Sequence, residues 1–251
     1  AGEQWRIDVF RTHGKIYEAS ASQMFGVPIE QIGKGSDLRQ KGKVAELALG
    51  YQGGVGALVA MGALDMGLQE DELPEIVERW RNANRAIVEF WRSIEGAALH
   101  AVQTGEAVGL RGLVIAREMD SRTGQDFMTI RLHSGRKLYY PRPHIVENQF
   151  GRLAVHYYGT EGGKWTVLNT YGGKLTENIV QAISRDCLAT AMTKLDAAGF
   201  EIVMHVHDEI VAEVEGDRLD EMLELMREPI PWAPGLPLDA AGFISDFYMK
   251  D

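Results

Sequence analysis

The sequence predicts an α+β fold in which a helix-rich first half leads into antiparallel β-hairpins packed by helices. Three observations carry this expectation. Apolar residues recur with a helical period over about the first 125 residues. From Phe127 the period changes to short β-branched and aromatic runs. A long amphipathic stretch, Leu175 to Ala197, then separates two hairpin patterns.

Each element has its own local signal. Ala19 to Phe25 is apolar and periodic, and Gly26-Val27-Pro28 stops it. Ser36-Asp37 supplies an N-cap ahead of Leu38 to Leu49, a run of good helix formers. Glycines at 50, 53, 54 and 56 interrupt that helix, and another is expected from Gly56 to Met66. From Glu70 to about Gln103, Ile76, Val77, Trp80, Ala83, Ile87, Val88 and Trp91 keep a helical period that Gly105 closes. Phe127 to Leu132 and Lys137 to Tyr140, joined through His133-Ser134-Gly135 and ended by Pro141, read as a hairpin. The stretch after Pro141 reads as irregular until the helix from Leu175, which Gly199 ends. Glu201 to Val206 and Ile210 to Val214 then flank His207-Asp208-Glu209 as a second hairpin. Asp217 to Glu228 forms a last helix before the irregular Pro229 to Pro237.

The 251 residues are enough for one large domain or two small ones. No apolar run approaches the ~18 residues that span a bilayer. The single cysteine, Cys187, excludes an internal disulfide and a cysteine-based zinc site, and fits a reducing cytosol. The net charge of -10 is unevenly spread: residues 200–251 hold 13 acidic and 3 basic side chains, and residues 1–199 balance. Residues 111–152 carry 8 basic against 4 acidic side chains, a basic sector compatible with nucleic acid or with a plain mixed surface.

At the tip of the second hairpin, Asp208 and Glu209 are oxygen donors between strands apolar enough to be buried. Mg²⁺ takes one or two carboxylates plus substrate phosphates, as in two-metal phosphoryl transfer with ions ~3.5–4 Å apart. An Asp-Glu pair is also an ordinary polar turn. A third reading uses His205, His207 and Asp208 as zinc ligands of a hydrolase, since residues two apart share a strand face.

Arg39, Lys43, Leu47 and Tyr51 recur every four residues, so they drift over only about 120° and share one helix face. Two cations, a flat apolar residue and an aromatic suit a nucleoside triphosphate, and the same spacing suits a solvated helix face. The glycines beside Tyr51 would let the helix end flex. They form neither a phosphate loop nor a dinucleotide fingerprint.

Together these residues resemble family A DNA polymerases. Arg39-x-x-x-Lys43-x-x-x-Leu47-x-x-x-Tyr51 is similar to the family's nucleotide-binding fingers helix, and Val206-His207-Asp208-Glu209 to its second catalytic carboxylate motif. Ser22 to Pro28, Ser134 to Pro141 and Val167-Leu168-Asn169 match in order around them. Gly42 to Gly54 looks like the phage and prophage branch. The resemblance implies helical fingers over 1–125 and the C-terminal half of an antiparallel palm, with the catalytic hairpin, over 126–251. It implies Mg²⁺ at Asp208 and Glu209, triphosphate contacts from Arg39 and Lys43, and proton donation by Lys43 to the leaving pyrophosphate. Tyr51 is implied where the templating base enters, and His207, Asn169, Arg136 and Lys137 at DNA. The partners implied are primer–template DNA, a dNTP and an N-terminal portion of the polymerase.

The departures are specific. Leu47 stands where many relatives carry an aromatic. Gln52 replaces the Gly that usually follows the Tyr. The Arg and Gln that usually flank Asn169 read here as Trp165 and Gly173, so minor-groove contacts do not carry over. No Asp-[Tyr/Phe]-Ser-x-x-Glu strand occurs in residues 1–40, so the family's first catalytic Asp is expected upstream and the chain alone is expected to be inactive. The alternative within the resemblance is a DNA-binding remnant without catalysis.

Overall fold

A computed structural model describes residues 1–147 and 151–249. It resolves into two compact units, 1–179 and 180–251. The division falls inside a single long helix.

The first unit opens with α1 (Gln4–Thr12), α2 (Ile16–Phe25) and α3 (Asp37–Leu49). Helix α2 ends at Gly26, which takes the left-handed φ of 68° that a glycine adopts without strain. The Ser36 hydroxyl accepts the Arg39 N–H and caps α3, as the sequence predicts. Helices α2 and α3 meet backbone to side: a methyl at Gly42 would collide with the Tyr17 carbonyl oxygen and stand 3.1 Å from the Ala21 Cβ. Helix α4 (Val55–Ala60) is shorter than expected, and turns occupy 61–67.

The expected helix from Glu70 to Gln103 is instead two, α5 (Leu73–Ala83) and α6 (Arg85–Thr104), broken at Asn84. Asn84 is fully buried with non-helical φ -124° and ψ 49°. Its amide donates to the Trp80 carbonyl at 2.8 Å and accepts the Arg6 Nε–H at 2.8 Å, so a side chain replaces the helical ladder there. Periodicity misses this because the apolar face resumes on the other side of the break.

Val44, Leu49, Leu58, Leu73, Ile76 and Trp80 form the core of this helical layer. Trp80 stacks on Trp91 with centroids 6.0 Å apart and planes 8° from parallel. Beside the stack, Glu46 accepts hydrogen bonds from Arg6 Nη2 at 2.7 Å and Trp80 Nε1 at 3.0 Å.

Two antiparallel sheets complete the unit. The first runs β1 (Val108–Leu110), β2 (Leu113–Met119), β3 (Asp126–Arg131) and β4 (Lys137–Pro141) in order. The β3–β4 hairpin is the one expected, with Ile130 opposite Leu138. The second runs β5 (His144–Glu147), β6 (Leu153–Glu161) and β7 (Lys164–Asn169). The β6–β7 hairpin turns at Gly162-Gly163, both with positive φ, a two-residue signal present in a stretch that reads as irregular. Tyr140 packs edge-on against Tyr157 at 5.0 Å, and its hydroxyl accepts the Asn178 amide at 3.0 Å. Burial pushes the Tyr140 phenol up to about 12. Asn178 belongs to α7 (Gly172–Ala197).

The second unit holds the later turns of α7, the two-stranded sheet β8 (Glu201–Val206) and β9 (Glu209–Glu213), and α8 (Leu219–Arg227). No described helix is long and apolar enough to cross a membrane. The antiparallel sheets packed with helices make the chain α+β, as its sequence predicts.

Two measurements test this packing. Glu46→Ala removes the carboxylate partner of the half-buried Arg6 guanidinium, which keeps Asn84, and is expected to cost about 2 kcal/mol in urea unfolding, the scale of lost hydrogen bonds to a charged group. Tyr140 keeps its proton to higher pH folded than unfolded, so stability is intact below pH ~10 and falls by ~1.4 kcal/mol per unit between ~10 and about 12. Tyr140→Phe is expected to remove that component from the alkaline limb, and an unchanged limb would assign it elsewhere.

Candidate functional site

Within the first unit, α3 delivers the row of four side chains largely as its spacing requires. Leu47 is 47% exposed and Tyr51 37%, while Val44, Ala45, Ala48 and Leu49 face the core. Lys43 is half-buried and forms no ion pair among the described residues. Arg39 is already engaged: its Nε donates to Glu18 Oε1 at 2.7 Å, and its guanidinium lies 5.4 Å from the centre of the Tyr17 ring. Burial works to raise the Glu18 carboxyl, but the hydrogen bonds from Arg39 and the backbone, with the charges of Arg39 and Lys15, together outweigh it and hold the group below its ordinary value.

Tyr51 lies past the last residue of α3, in the turn that follows. Burial raises its phenol above the ordinary value, and the Glu177 carboxylate adds to the effect. The expected freedom of this glycine-rich turn is not what the structure has. Trp91 Nε1 donates to the Gly50 carbonyl at 3.2 Å, and Arg81 Nη2 donates to the Gly53 carbonyl at 3.0 Å. Gly173 N–H donates to Gln52 Oε1 at 2.8 Å. A methyl at Gly53 would collide with the Ala48 carbonyl oxygen. Gly53 therefore serves close packing, and three hydrogen bonds fix the turn.

The other residues expected at DNA in this unit are spread over its sheets. Asn169 is exposed at the end of β7, opposite His156 in the register. Arg136 is exposed beside the β3–β4 turn. Lys137, the first residue of β4, has its ammonium 2.7 Å from Glu118 Oε2.

In the second unit, Val206 pairs with Glu209, so His207-Asp208 alone is the two-residue turn and Glu209 begins β9. His207 takes a left-handed φ of 52°. His207 and Asp208 are exposed and Glu209 is half-buried. The strands themselves are not buried as their composition suggests: no residue of β8 is buried, and Val203 and Met204 are 49% and 36% exposed. A two-stranded sheet has few neighbours to cover its faces, whatever its apolar content. His205 Nε2 stands 3.4 Å from Arg185 Nη2, which sets a guanidinium charge where a zinc ion would have to approach.

Asp208 and Glu209 are hard oxygen donors of the type Mg²⁺ takes, and Asp208 is open to solvent. Among the described residues no group of three or more His, Cys, Asp or Glu is assembled to hold a metal. The donor set therefore fits one edge of a Mg²⁺ site.

No protein-family model matches the sequence. The chain is 57% identical, over an alignment of 256 residues covering all of it, to a protein of Bacillus phage SP02 described as a DNA polymerase. It spans 39% of that protein's length. The chain is thus related, along its whole length, to part of a phage DNA polymerase.

Proposed function

We propose that this chain is the fingers and the C-terminal half of the palm of a template-directed family A DNA polymerase, acting on primer–template DNA and dNTPs. The observation that carries the reading is the row along α3 and the turn after it. Lys43 has no ion pair among the described residues, and Leu47 and Tyr51 are open beside it. A stripe of cation, apolar side chain and aromatic matches triphosphate, sugar or base, and a stacked base in sequence.

Asp208 and Glu209 would hold Mg²⁺ together with substrate phosphates and a further carboxylate supplied from outside residues 1–251. Bound there, Mg²⁺ supplies charge neutralisation at the phosphoryl oxygens. The chain's own residues do the rest. Arg39 exchanges Glu18 for phosphate oxygens, and Lys43 binds the same triphosphate. As the primer 3′-hydroxyl gives up its proton to solvent and its oxygen bonds to the α-phosphorus, the bond to the pyrophosphate oxygen breaks and Lys43 transfers a proton to that oxygen. His207 contacts the primer terminus, and Tyr51 offers its ring where the templating base enters. Leu47 gives a weaker contact to base or sugar than an aromatic would.

Primer extension tests the assignment. The 251-residue chain alone is expected to extend poorly, and a polymerase that joins it to an upstream portion carrying the second carboxylate is expected to extend well. In that complete enzyme Asp208→Ala is expected to lower kcat at least about a hundredfold, the cost of a few kcal/mol of charge stabilisation. Robust extension by the chain alone, or full activity of D208A, would remove the two-carboxylate reading.

The Glu18 contact gives a separate expectation. Glu18→Gln releases Arg39 from a partly exposed ion pair and is expected to tighten dNTP binding about two- to fivefold. In titrations of the complete enzyme, weaker binding by E18Q would mean that Glu18 orients Arg39 and does not compete for it.

A further inference from the structure

One face of the β5–β6–β7 sheet carries a group of rings that lies open. His144 pairs with His156 and Tyr158 with Val167, and Trp165 stands two residues before Val167. Paired residues, and residues two apart along a strand, share a face. The opposite face is the packed one, where Val155 is buried and Tyr157 meets Tyr140 edge-on. On the ring-bearing face Trp165 is 58% exposed and Val167 42%. A large aromatic left this open, beside further apolar surface, marks a place where something binds.

The rings form one continuous group. Tyr158 lies 6.5 Å from Trp165, with planes 25° from parallel, and 6.0 Å from His144. His144 in turn lies 5.9 Å from His156. The Arg142 guanidinium stands 5.5 Å from the centre of the Tyr158 ring and has no ion pair among the described residues. Arg142 reaches the ring from the link between β4 and β5, where its φ of 49° is a left-handed conformation that strains any residue with a β-carbon. The link is held all the same. Its N–H donates to the Asp126 carbonyl at 2.8 Å, and its carbonyl accepts from His144 Nδ1 at 3.0 Å.

The charge of this face is one-sided. No Asp or Glu occupies a position on it in any of the three strands, although the chain as a whole carries -10. Rings, a cation and no carboxylate complement a polyanion that carries flat bases. We propose that this sheet face binds single-stranded DNA, with an unpaired base stacked on Trp165 beside Tyr158 and an adjoining phosphate held by Arg142. A guanidinium lying on a ring keeps its N–H edge for a phosphate. Every base has a π-face, so the site grips a strand without reading its sequence. It shares no residue with the row on α3, and it stands or falls apart from the polymerase reading.

The test is fluorescence-anisotropy titration of the whole 251-residue chain with a short labelled oligothymidylate. Trp165→Ala is expected to weaken binding about five- to a hundredfold, the loss of one stacked base, and Trp165→Phe to retain most of the affinity. A strand of the same length built from abasic units keeps the phosphates and lacks the bases. It is expected to bind the wild-type chain weakly and to be indifferent to W165A. Arg142→Gln is expected to make the slope of log affinity against log salt shallower by about 0.7, the share of one phosphate in a single strand. A strand carrying 5-iodouracil is expected to photocross-link to Trp165 or Tyr158. Wild-type affinity in W165A, equal binding of the abasic strand, an unchanged slope in R142Q, or adducts confined to other residues would each overturn the proposal. So would a wild-type chain that binds no oligothymidylate at low salt. None of these outcomes touches the polymerase reading, which primer extension by the complete enzyme decides.

Discussion

The first unit depends on one half-buried carboxylate. Glu46 lies about 20° from Arg39 on the helical wheel, at the boundary between the core face of α3 and its exposed row. It takes hydrogen bonds from Arg6 on α1 and Trp80 on α5, and Arg6 reaches on to Asn84. Three helices are thus tied to a single residue of α3. Apolar packing alone leaves a helix some freedom to rotate, because Val44, Ala45 and Ala48 are small. Charged hydrogen bonds are directional and buried ones are expensive to break, so Glu46 fixes the rotation. Lys43 and Leu47 face outward as a consequence.

Glycine placement then brings other elements up to the end of α3. Trp91 donates its indole N–H to the Gly50 carbonyl, and its own carbonyl is what a methyl at Gly172 would strike. Gly172 and Gly173 open α7, and both lie where a β-carbon has no room. The close approach places the Gly173 N–H within reach of Gln52. Tyr51 is thereby set between a pinned carbonyl on one side and a pinned side chain on the other. The turn beside the proposed template position is rigid because glycines let backbones touch there. The same residue type, read only for its conformational freedom, suggests the opposite.

What the sequence makes legible follows from the range of each interaction. The Ser36 cap, the Gly26 stop and the β3–β4 hairpin are encoded within a few residues, and they occur where local chemistry puts them. The row from Arg39 to Tyr51 is legible because helical spacing decides which side chains share a face. The break at Asn84 is set by Arg6, 78 residues away, and no local signal reports it. The Glu18 contact to Arg39 and the Gln52 contact to Gly173 are likewise products of tertiary packing. The two-residue Gly162-Gly163 turn was readable and marks β6 and β7 for anyone who weighs it above the polar residues around it. The exposure of β8 was not, because alternating apolar content records a capacity for burial and not the presence of a covering layer.

That exposure bears on how the proposed metal edge works. Asp208 sits in a two-residue turn held by the pairing of β8 with β9. A two-stranded ribbon is only marginally stable by itself, since half of its backbone groups face outward and its side chains cover little apolar area. Catalysis by charge stabilisation requires donors held within about 0.5 Å of their working positions. Asp208 therefore reaches that precision only when the hairpin's outer faces, Val203 and Met204 among them, are packed. Covering those side chains and completing the carboxylate pair are distinct requirements.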